Sequence, residues 1–422
     1  MLATFPLVPW PHLDADLREL TPKLRELRHD IHQHPELGFE EHRTQRLVRR
    51  WLEGLGYAPR DCARTGLIAD LPPDPNAAAS AGESGATLPP SIALRADLDA
   101  LPMREDTDLP YRSVHDGVAH KCGHDGHTAI LLGTAALLAR HRAQIPGRVR
   151  LIFQPAEEGV DGGGARVMVD EGALDGIDEV YGLHNWPGFP KGQVRVVPGP
   201  TMAQVYEFET VIRGEGGHGS QPQRCRDPIV AGSALVQALQ TLVSRELAPS
   251  DAAVVSVGAF HAGKANNVIP GSARLRGTVR CFDPRVGVRI ERRFREICDG
   301  IAAAYGVEIE PGLRAEYPVL VNEAGCAAAV ARVAGRVVGH TRVSGDELPM
   351  TASEDFAFFT QRTPGAYFFL GAGRLDLADG TKATPGCHHP DFDFDDDLIP
   401  LGVRMFMGLV ADRMGLVEPA SA

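Results

Sequence analysis

Cysteine, histidine and glutamate residues with metal-binding chemistry fall in four short segments of this chain. One glycine separates Cys122 from His124, and Asp125 and His127 follow directly. In an extended loop, residues i and i+2 point the same way, so Cys122 and His124 could reach one ion. A thiolate beside an imidazole suits zinc, cobalt, nickel or manganese better than magnesium. A lone Cys-x-His is more often a buried thiol beside a loop histidine, but the crowding of Asp125 and His127 favours a metal site.

The second segment is the acid pair Glu157-Glu158, which follows the apolar residues Leu151–Phe153. Adjacent side chains point in different directions, so one acid could bind a metal while its neighbour faces the attacking water. A spare carboxylate that takes the proton of a water molecule makes a metal site hydrolytic. A bare Glu-Glu pair is usually a solvated turn, but the apolar residues before it favour a buried strand end.

The third and fourth segments carry His184 and the pair His388-His389. His184 lies where an apolar run meets Pro187. The alternative interpretation is a buried core histidine whose ring nitrogens are hydrogen-bonded within the protein. His388-His389 precedes a run of aspartates, so a solvated acidic loop is the alternative there. The residue types alone do not choose between His388 and His389.

Two other motifs are weaker evidence for a catalytic or binding site. The stretch Gly214–Gly219 fits the pattern GxGxxG, but no acid lies about 20 residues on, and Gln221-Pro222 stands where a helix should open. Its glycines are better suited to bring a loop with His218 at its tip close to another surface. The stretch Ser353–Phe356 is typical of a capped helix start that could also line the site.

Composition limits the class of protein. The chain has 422 residues, 43% of them hydrophobic, which predicts a globular protein of two or three domains. A formal net charge of −12 argues against nucleic acid and anionic membranes as partners. Seven scattered cysteines without a CxxC motif favour a reducing compartment, and we expect no signal peptide and a cytoplasmic location. The apolar run 129–139 is too short to span a bilayer and predicts a buried helix.

The order of strand and helix patterns predicts a discontinuous α/β domain. Strand-like segments at 91–95 and 148–153 flank a helical segment at 124–142, and acids follow both strands, which is typical of a parallel sheet with a site at its carboxyl edge. The stretch 71–90, low in complexity, predicts a surface loop. A helical pattern at 323–338 indicates that the α/β pattern returns later in the chain.

Between these parts the pattern changes to that of a compact α+β unit. Strands at 205–212, 253–259 and 273–279 alternate with helices at 227–246 and 284–305. We therefore predict a catalytic metal-binding domain over 1–198 and 315–422, into which a smaller domain, 199–314, is inserted.

Taken together, these motifs resemble the amidohydrolase branch of the aminoacylase/carboxypeptidase metallopeptidases, which includes hippurate hydrolase, N-acyl-amino-acid amidohydrolases and indoleacetyl-amino-acid hydrolases. The matches span roughly residues 28–400 and occur in the family's order. They are Arg95–Pro102, Cys122–His127, Glu157–Gly159, Leu183–Pro187, Gly217–Ser220, Asn267–Pro270, Ser353–Phe356 and Cys387–Pro390.

The resemblance implies a catalytic domain with two divalent ions per subunit, of zinc, manganese, cobalt or nickel. The implied ligands are Cys122, His124, Glu158, His184 and His388. His388 is preferred because the family's ligand comes immediately after the position of Cys387 in its motif. The family's inserted domain is a ferredoxin-like lid that also dimerises, which implies a homodimer or a higher homo-oligomer.

The resemblance also implies roles for the remaining residues. Glu157 would be the general base and then the proton donor to the leaving amine. His218 would help hold the scissile carbonyl oxygen, and Asn267 and Arg280 would bind the carboxylate of a small N-acyl amino acid. The expected reaction is hydrolysis of the amide bond, which gives a carboxylic acid and an amino acid.

One departure and three alternatives remain. Asp97-Leu-Asp99 stands where wider relatives have His-x-Asp, so both acids are best interpreted as residues that orient the ligands. A dipeptidase or short-acyl aminoacylase is a close variant of the proposed activity. A relative that only binds metal or ligand is less consistent with the intact Glu157. A thiol nucleophile at Cys122, with His124 or His127 as base, would need no metal.

Overall fold

The computed structural model describes residues 10, 12–71, 89–159, 162–374 and 383–416. The stretch predicted as a surface loop, 71–90, falls outside the described residues except at its ends.

Nine α-helices are described in these ranges: α1 (Leu13–Gln33), α2 (His42–Gly54), α3 (His124–Arg140), α4 (Gly164–Asp170), α5 (Pro228–Thr241), α6 (Pro284–Tyr305), α7 (Ala324–Val338), α8 (Ala357–Arg362) and α9 (Leu398–Arg413). The strands described there are β1 (Arg60–Cys62), β2 (Gly66–Leu71), β3 (Ile92–Asp97), β4 (Val149–Gln154), β5 (Glu179–Pro190), β6 (Val194–Arg195), β7 (Gly199–Met202), β8 (Gln204–Arg213), β9 (Gly217–His218), β10 (Ala253–Ala262), β11 (Val268–Ile269), β12 (Ser272–Cys281), β13 (Glu308–Ala315), β14 (Leu320–Asn322), β15 (Val343–Ser344) and β16 (Gly365–Gly373).

The described chain divides into two compact units. The larger unit comprises Met1–Thr201, Val321–Leu348 and Asp355–Ala422, and the smaller comprises Met202–Leu320 and Pro349–Glu354. The smaller unit is inserted into the larger along the chain, which agrees with the predicted fold class. The predicted domain limits at 198/199 and 314/315 stay predictions.

The larger unit contains an eight-stranded sheet in the order β1-β2-β4-β3-β5-β16-β6-β15. Its centre is parallel, because β3 pairs in parallel with β4 and β5, and β16 pairs in parallel with β5. All residues of β3 and β4 are buried, as expected of strands with both faces covered. The predicted parallel sheet is therefore confirmed, and its carboxyl edge is where the acids after β3 and β4 meet.

Helix α3 lies between β3 and β4 along the chain. Nearly every residue in its first four turns is buried, so the prediction of a buried helix from the apolar run 129–139 is confirmed. Within the described ranges, no helix is both long and apolar enough to cross a membrane.

The smaller unit has a four-stranded antiparallel sheet in the order β10-β12-β8-β13. The chain order β8-α5-β10-β12-α6-β13 and this strand order give the predicted ferredoxin-like arrangement. Asp227 and Asp283 begin the two helices, since each carboxylate accepts backbone N–H bonds and each is followed by a proline at the first helical position.

The predicted helix cap at Ser353 is wrong. Helix α8 begins at Ala357 without a side-chain cap, and its first turn is joined to the preceding chain by the bond from Phe358 N to Asp355 O. The Ser353 hydroxyl instead accepts a hydrogen bond from Arg280 at 3.4 Å.

A buried arginine joins three parts of the larger unit. Arg28 of α1 is fully buried, and its Nε donates to Asp125 Oδ2 on α3 at 2.8 Å. Its guanidinium also pairs with Asp393 and lies 3.6 Å from Asp396, both in the acidic segment before α9. One cation therefore compensates acids on the helix that begins at His124 and on the segment that follows His388.

We expect Arg28→Met to lower the free energy of unfolding by about 3–5 kcal/mol, because it leaves the buried carboxylate of Asp125 without its cation. Arg25→Met is the matched control: it lies on the same helix and pairs with Asp397 of the same segment, but the two side chains are 41% and 62% exposed. Its loss should cost less than about 1 kcal/mol. Denaturant unfolding of the metal-free proteins measures both, and equal losses would contradict the role of Arg28.

Candidate metal centre

The side chains predicted as metal ligands all belong to the larger unit and come from four of its segments. His124 is the first residue of α3, and Cys122 lies two residues before it. Glu158 follows β4, His184 lies within β5, and His388 lies in the loop before α9. The parallel strands β4 and β3 end at the same edge of the sheet, and β5 is the next strand across. The topology thus brings segments that are distant in sequence to one place.

The turn between Cys122 and His124 requires its glycine. Gly123 has φ +104°, and a Cβ on it would lie 2.1 Å from Oδ1 of Asn185. A left-handed backbone at this position and the start of a helix directly after it replace the extended loop that the spacing suggested. That expectation is wrong in conformation, but the two side chains still reach one cluster.

Ligand atoms in this cluster lie close enough to share cations. The Sγ of Cys122 is 3.3 Å from Nε2 of His184, and Nε2 of His388 is 3.2 Å from Oε1 of Glu158. The Nε2 of His124 lies 3.9 Å from that same Oε1. Three overlapping groups have atoms within 4.8 Å of one another: Cys122, His124 and His184; Cys122, Glu158 and His388; and His124, Glu157 and Glu158.

Two buried atoms in the cluster fit a bound cation. The Nε2 of His124 and the Oε1 of Glu158 have no hydrogen-bond partner among the described residues, although His388 lies beside the latter without an aligned bond. Buried polar atoms normally have a partner, and atoms left without one need an explanation. A thiol, imidazoles and a carboxylate are also the ligand types that zinc and similar ions take. The donor set therefore fits divalent metal.

Hydrogen bonds on the far side of two of the imidazoles, those of His124 and His184, fix their orientation. The Nδ1 of His124 lies 3.0 Å from the carbonyl oxygen of Asp99, and the Nδ1 of His184 lies 2.5 Å from that of Asn185. Both rings therefore present Nε2 to the cluster, which is the usual arrangement for metal-binding histidines. Asp99 also accepts the backbone N–H of Glu158 through Oδ2 at 3.0 Å. The suggestion that Asp99 orients ligands agrees with both contacts.

Asp97 holds a different histidine. Its Oδ1 is 2.7 Å from Nδ1 of His127, whose Nε2 accepts the backbone N–H of Asn185 at 3.1 Å and lies 2.7 Å from the Asn185 side-chain oxygen. The Asn185 side chain is the one that a Cβ on Gly123 would strike. The row Asp97, His127 and Asn185 thus supports the turn between Cys122 and His124.

The acid pair is held by a residue that sequence reasoning missed. The buried Glu41 accepts the backbone N–H of Ala156 at 2.8 Å, and Ala156 has the left-handed φ of +51°. This bond fixes the turn directly before Glu157. Burial and the nearby Asp99 raise the pKa of Glu41 to about 7. No local pattern marks Glu41, because its partner lies more than a hundred residues further along the chain.

The loop geometry distinguishes the two adjacent histidines, His388 and His389, by their contacts. His388 has φ +65°, which is uncommon outside glycine, and its N–H donates to Lys121 O at 2.7 Å. Its ring faces Glu158. His389 instead accepts the backbone N–H of Asp391 at 3.1 Å and is exposed. The geometry favours His388 as the ligand, as the resemblance implied.

The charge states follow from burial and neighbours. Burial, with His127 nearby, holds the pKa of His184 well below its ordinary value, so its Nε2 keeps a lone pair, which faces the Cys122 thiol at 3.3 Å. Burial disfavours a charged His124, but Asp97 and Asp99 outweigh it and hold that pKa well above the ordinary value. The Cys387 thiol, burial and nearby carboxylates hold the pKa of Cys122 far above its usual range. A bound cation would reverse this for Cys122, because coordination deprotonates a thiol.

His218 and Asn267 lie together in the smaller unit. His218 pairs with Val268 across the strands β9 and β11, and the carbonyl of Asn267 accepts the N–H of Gly219 at 2.8 Å. The ring of His218 is exposed, and its Nδ1 accepts the N–H of Ser220 at 3.1 Å. A Cβ on Gly219 would lie 3.0 Å from the backbone oxygen of Asn267, so this glycine lies directly against the neighbouring chain segment. The predicted approach of His218 to another surface stays a prediction.

Arg280 lies on another strand of the smaller unit. It is part of β12, and its Nη1 donates to the carbonyl of Thr351 at 3.0 Å. Burial lowers the pKa of Arg280, which still leaves it a cation.

Known proteins resemble this chain over most of its length. Residues 93–412 match the peptidase family M20/M25/M40. An N-acetylcysteine deacetylase of Bacillus subtilis is 38% identical over 92% of this chain and 96% of its own. A hippurate hydrolase of Campylobacter jejuni is 38% identical over 85% of this chain and 90% of its own.

A solved structure agrees with the same assignment. It is that of a Bacillus subtilis protein described as a dinuclear metal-binding peptidase of the M20 family. The two chains are 34% identical with a TM-score of 0.77, and the match covers 95% of this chain and all of the other. Through the matched residues, the shared length and the shared fold, this chain belongs to the peptidase family M20/M25/M40.

Proposed function

We propose that this protein is a metal-dependent amidohydrolase that cleaves the amide bond of small N-acyl amino acids. The observation that carries the proposal is the buried cluster in which His124 Nε2 and Glu158 Oε1 lack hydrogen-bond partners among the described residues, with Glu157 beside them. A hydrolytic site needs both a cation and a base, and this cluster supplies groups for each.

The metal would be held by Cys122, His124, Glu158, His184 and His388. The overlap of their three groups supports two divalent ions, of zinc, manganese, cobalt or nickel. When bound, these ions supply Lewis acidity toward the amide carbonyl and make water a better nucleophile at neutral pH.

Glu157 is the residue of this chain that moves the proton. It is buried, and its Oε2 lies 3.9 Å from Nε2 of His124, so the carboxylate stands at the edge of the ligand cluster. The carboxylate takes a proton from the attacking water and returns it to the nitrogen of the leaving amine. The loop bond from Ala156 to Glu41 keeps this carboxylate in place during both transfers.

The smaller unit would contribute substrate contacts. His218 donates a hydrogen bond to the carbonyl oxygen as negative charge develops, and Asn267 and Arg280 bind the substrate carboxylate. In this assignment the predicted domain 199–314 is the inserted dimerisation and lid domain, and 1–198 with 315–422 is the catalytic domain. A homodimer or a higher homo-oligomer is the proposed assembly.

The substrate class rests on the relatives. One acts on N-acetylcysteine and another on hippurate by their names, and both substrates are N-acyl amino acids. A dipeptidase or a short-acyl aminoacylase is the second candidate within the same chemistry. The thiol-nucleophile alternative is less consistent with Cys122, because its raised pKa keeps it protonated unless a cation is bound.

Glu157→Gln should keep its metal and lose about 100-fold to 10,000-fold in kcat, because the amide cannot accept the proton of water. Glu158→Gln should lose metal as well as activity, since the neighbouring acid is the proposed ligand. The metal content and the hydrolysis rate of both variants are measured. Glu53→Gln, the same change on an exposed helix residue, is the control. Full activity in Glu157→Gln would overturn its role.

Cys122→Ser should weaken metal binding by about tenfold or more, because a neutral hydroxyl replaces a thiolate ligand. The control is Cys225→Ser in the smaller unit, where Sγ contacts the Gln221 carbonyl at 3.8 Å and a hydroxyl can keep that contact. Metal content after dialysis against a limiting chelator measures both. Unchanged metal in Cys122→Ser would remove it from the ligand set.

Metal-stripped protein should recover hydrolysis of at least one of N-acetyl, N-benzoyl or indoleacetyl amino acids when manganese, cobalt, nickel or zinc is added. Recovery follows from the need for a cation beside Glu157. Activity that survives full metal removal would favour the thiol nucleophile. No activity with any ion, in protein that still binds metal, would favour a relative that only binds.

A further inference from the structure

A buried lysine stands directly before the proposed metal ligand Cys122. The side chain of Lys121 is fully buried, which is rare for lysine unless its charge is paired. Its Nζ donates to Oε1 of Glu105 at 2.7 Å and to the carbonyl oxygen of Phe392 at 2.7 Å. Neither partner has a role in the proposed reaction, so the contacts of Lys121 need another explanation.

Glu105 gives the lysine a fixed anchor. Its Oε1 also accepts the hydroxyl of Thr107 at 2.5 Å and lies 3.1 Å from Nε2 of His32. Its Oε2 accepts the backbone N–H of Ser113 at 2.8 Å. These three contacts hold the carboxylate independently of Lys121, and the position of the carboxylate in turn defines where the lysine Nζ lies.

The main chain of Lys121 binds the segment that carries His388. The carbonyl oxygen of Lys121 accepts the N–H of His388 at 2.7 Å, while its Nζ reaches the carbonyl of Phe392 further along the same segment. The N–H of Asp106, next to the anchor, adds a bond to the carbonyl of Pro390 at 3.2 Å. Lys121 therefore holds this segment at two points, one with its backbone and one with its side chain.

The backbone of His388 needs such support. Its φ of +65° lies in the left-handed region, which is unfavourable for a residue with a Cβ and persists where surrounding contacts hold it. An apolar side chain in place of Lys121 would avoid the cost of burying a charge. Hydrogen bonds, however, fix the direction and the distance of their partners, which apolar packing does not do.

We propose that Lys121 is a positioning residue that sets the distance between Cys122 and His388 and so completes one of the two proposed metal sites. The proposal rests on the proposed ligand set. Cys122, Glu158 and His388 form one group with atoms within 4.8 Å of one another, and this group spans the two segments that Lys121 joins.

The other proposed site should depend on Lys121 much less. Its group consists of Cys122, His124 and His184, and it includes no residue of the segment that follows Cys387. The rings of His124 and His184 are oriented by the carbonyl oxygens of Asp99 and Asn185. Lys121 takes no part in those two bonds. Its loss is therefore expected to affect the two ions unequally.

The test is a zinc titration of the full, metal-stripped chain in competition with a chromogenic zinc chelator. We expect Lys121→Met to bind one ion about 10-fold to 100-fold more weakly than the parent, as when a residue that supports a ligand is lost, and the other within about threefold. Lys191→Met is the matched control. Its Nζ pairs with Asp395 and Asp397 after His388, but its side chain is 37% exposed. It should bind both ions like the parent.

A double variant separates positioning from folding. Lys121→Met leaves Glu105 buried without its cation, whereas Lys121→Met combined with Glu105→Gln removes both charges and should unfold at a higher denaturant concentration than the single variant. The double variant should still bind one ion weakly, because the bond from Nζ to Phe392 is absent. Parent-like binding of both ions in either variant, or an equal loss of both ions, would overturn the positioning role.

The outcome is distinct from that of the proposed function. A parent chain that binds two ions but hydrolyses no N-acyl amino acid would contradict the hydrolytic proposal, and the zinc titration would still judge Lys121. A parent chain that binds fewer than two ions would overturn the role of Lys121 together with the proposed pair of metal ions. The role of Glu157 is judged separately by Glu157→Gln, which should bind both ions.

Discussion

Buried negative charge is the constraint on which the larger unit depends. Carboxylates gather at the carboxyl edge of the central strands, where each needs a cation or hydrogen bonds. Asp97 has Arg95 at 2.6 Å and His127 at 2.7 Å, and Asp125 has Arg28 at 2.8 Å. These partners sit on strands and helices of the fold itself. Within the described residues, Oε1 of Glu158 has no hydrogen bond, and Nε2 of His388 lies 3.2 Å from it, so the charge of this carboxylate is balanced at the ligand cluster rather than by an arginine.

Much of the fold and of the candidate site could be predicted because the signals are local. Apolar strands with acids at their ends predict a parallel sheet and a site at its edge, and the clustered Cys122 and His124 predict ligands. The conformation of Gly123 could not be predicted in this way, because it depends on the Asn185 side chain that approaches it. The choice between His388 and His389 likewise depends on the left-handed backbone of His388.

The parts that sequence reasoning missed are partners from distant segments. Glu41 accepts the backbone N–H of Ala156, and the backbone N–H of Asn185 donates to His127. No local sequence pattern around Glu41 or Asn185 predicts these partners. The Ser353 cap failed for the opposite reason. A good local signal was overridden, since the hydroxyl accepts a bond from Arg280 and the helix begins later at Ala357. Tertiary contacts decide both kinds of position.

The origin of the proposed ligands in four separate segments has a consequence for synthesis and assembly. Cys122, Glu158 and His184 emerge from the ribosome long before His388, and the strand β16 beside β5 also comes late in the chain. An incomplete nascent chain therefore lacks the full set of proposed donors and cannot assemble the proposed metal centre. On the proposed ligand set, the cluster is complete only near the end of translation, after the inserted unit has been made.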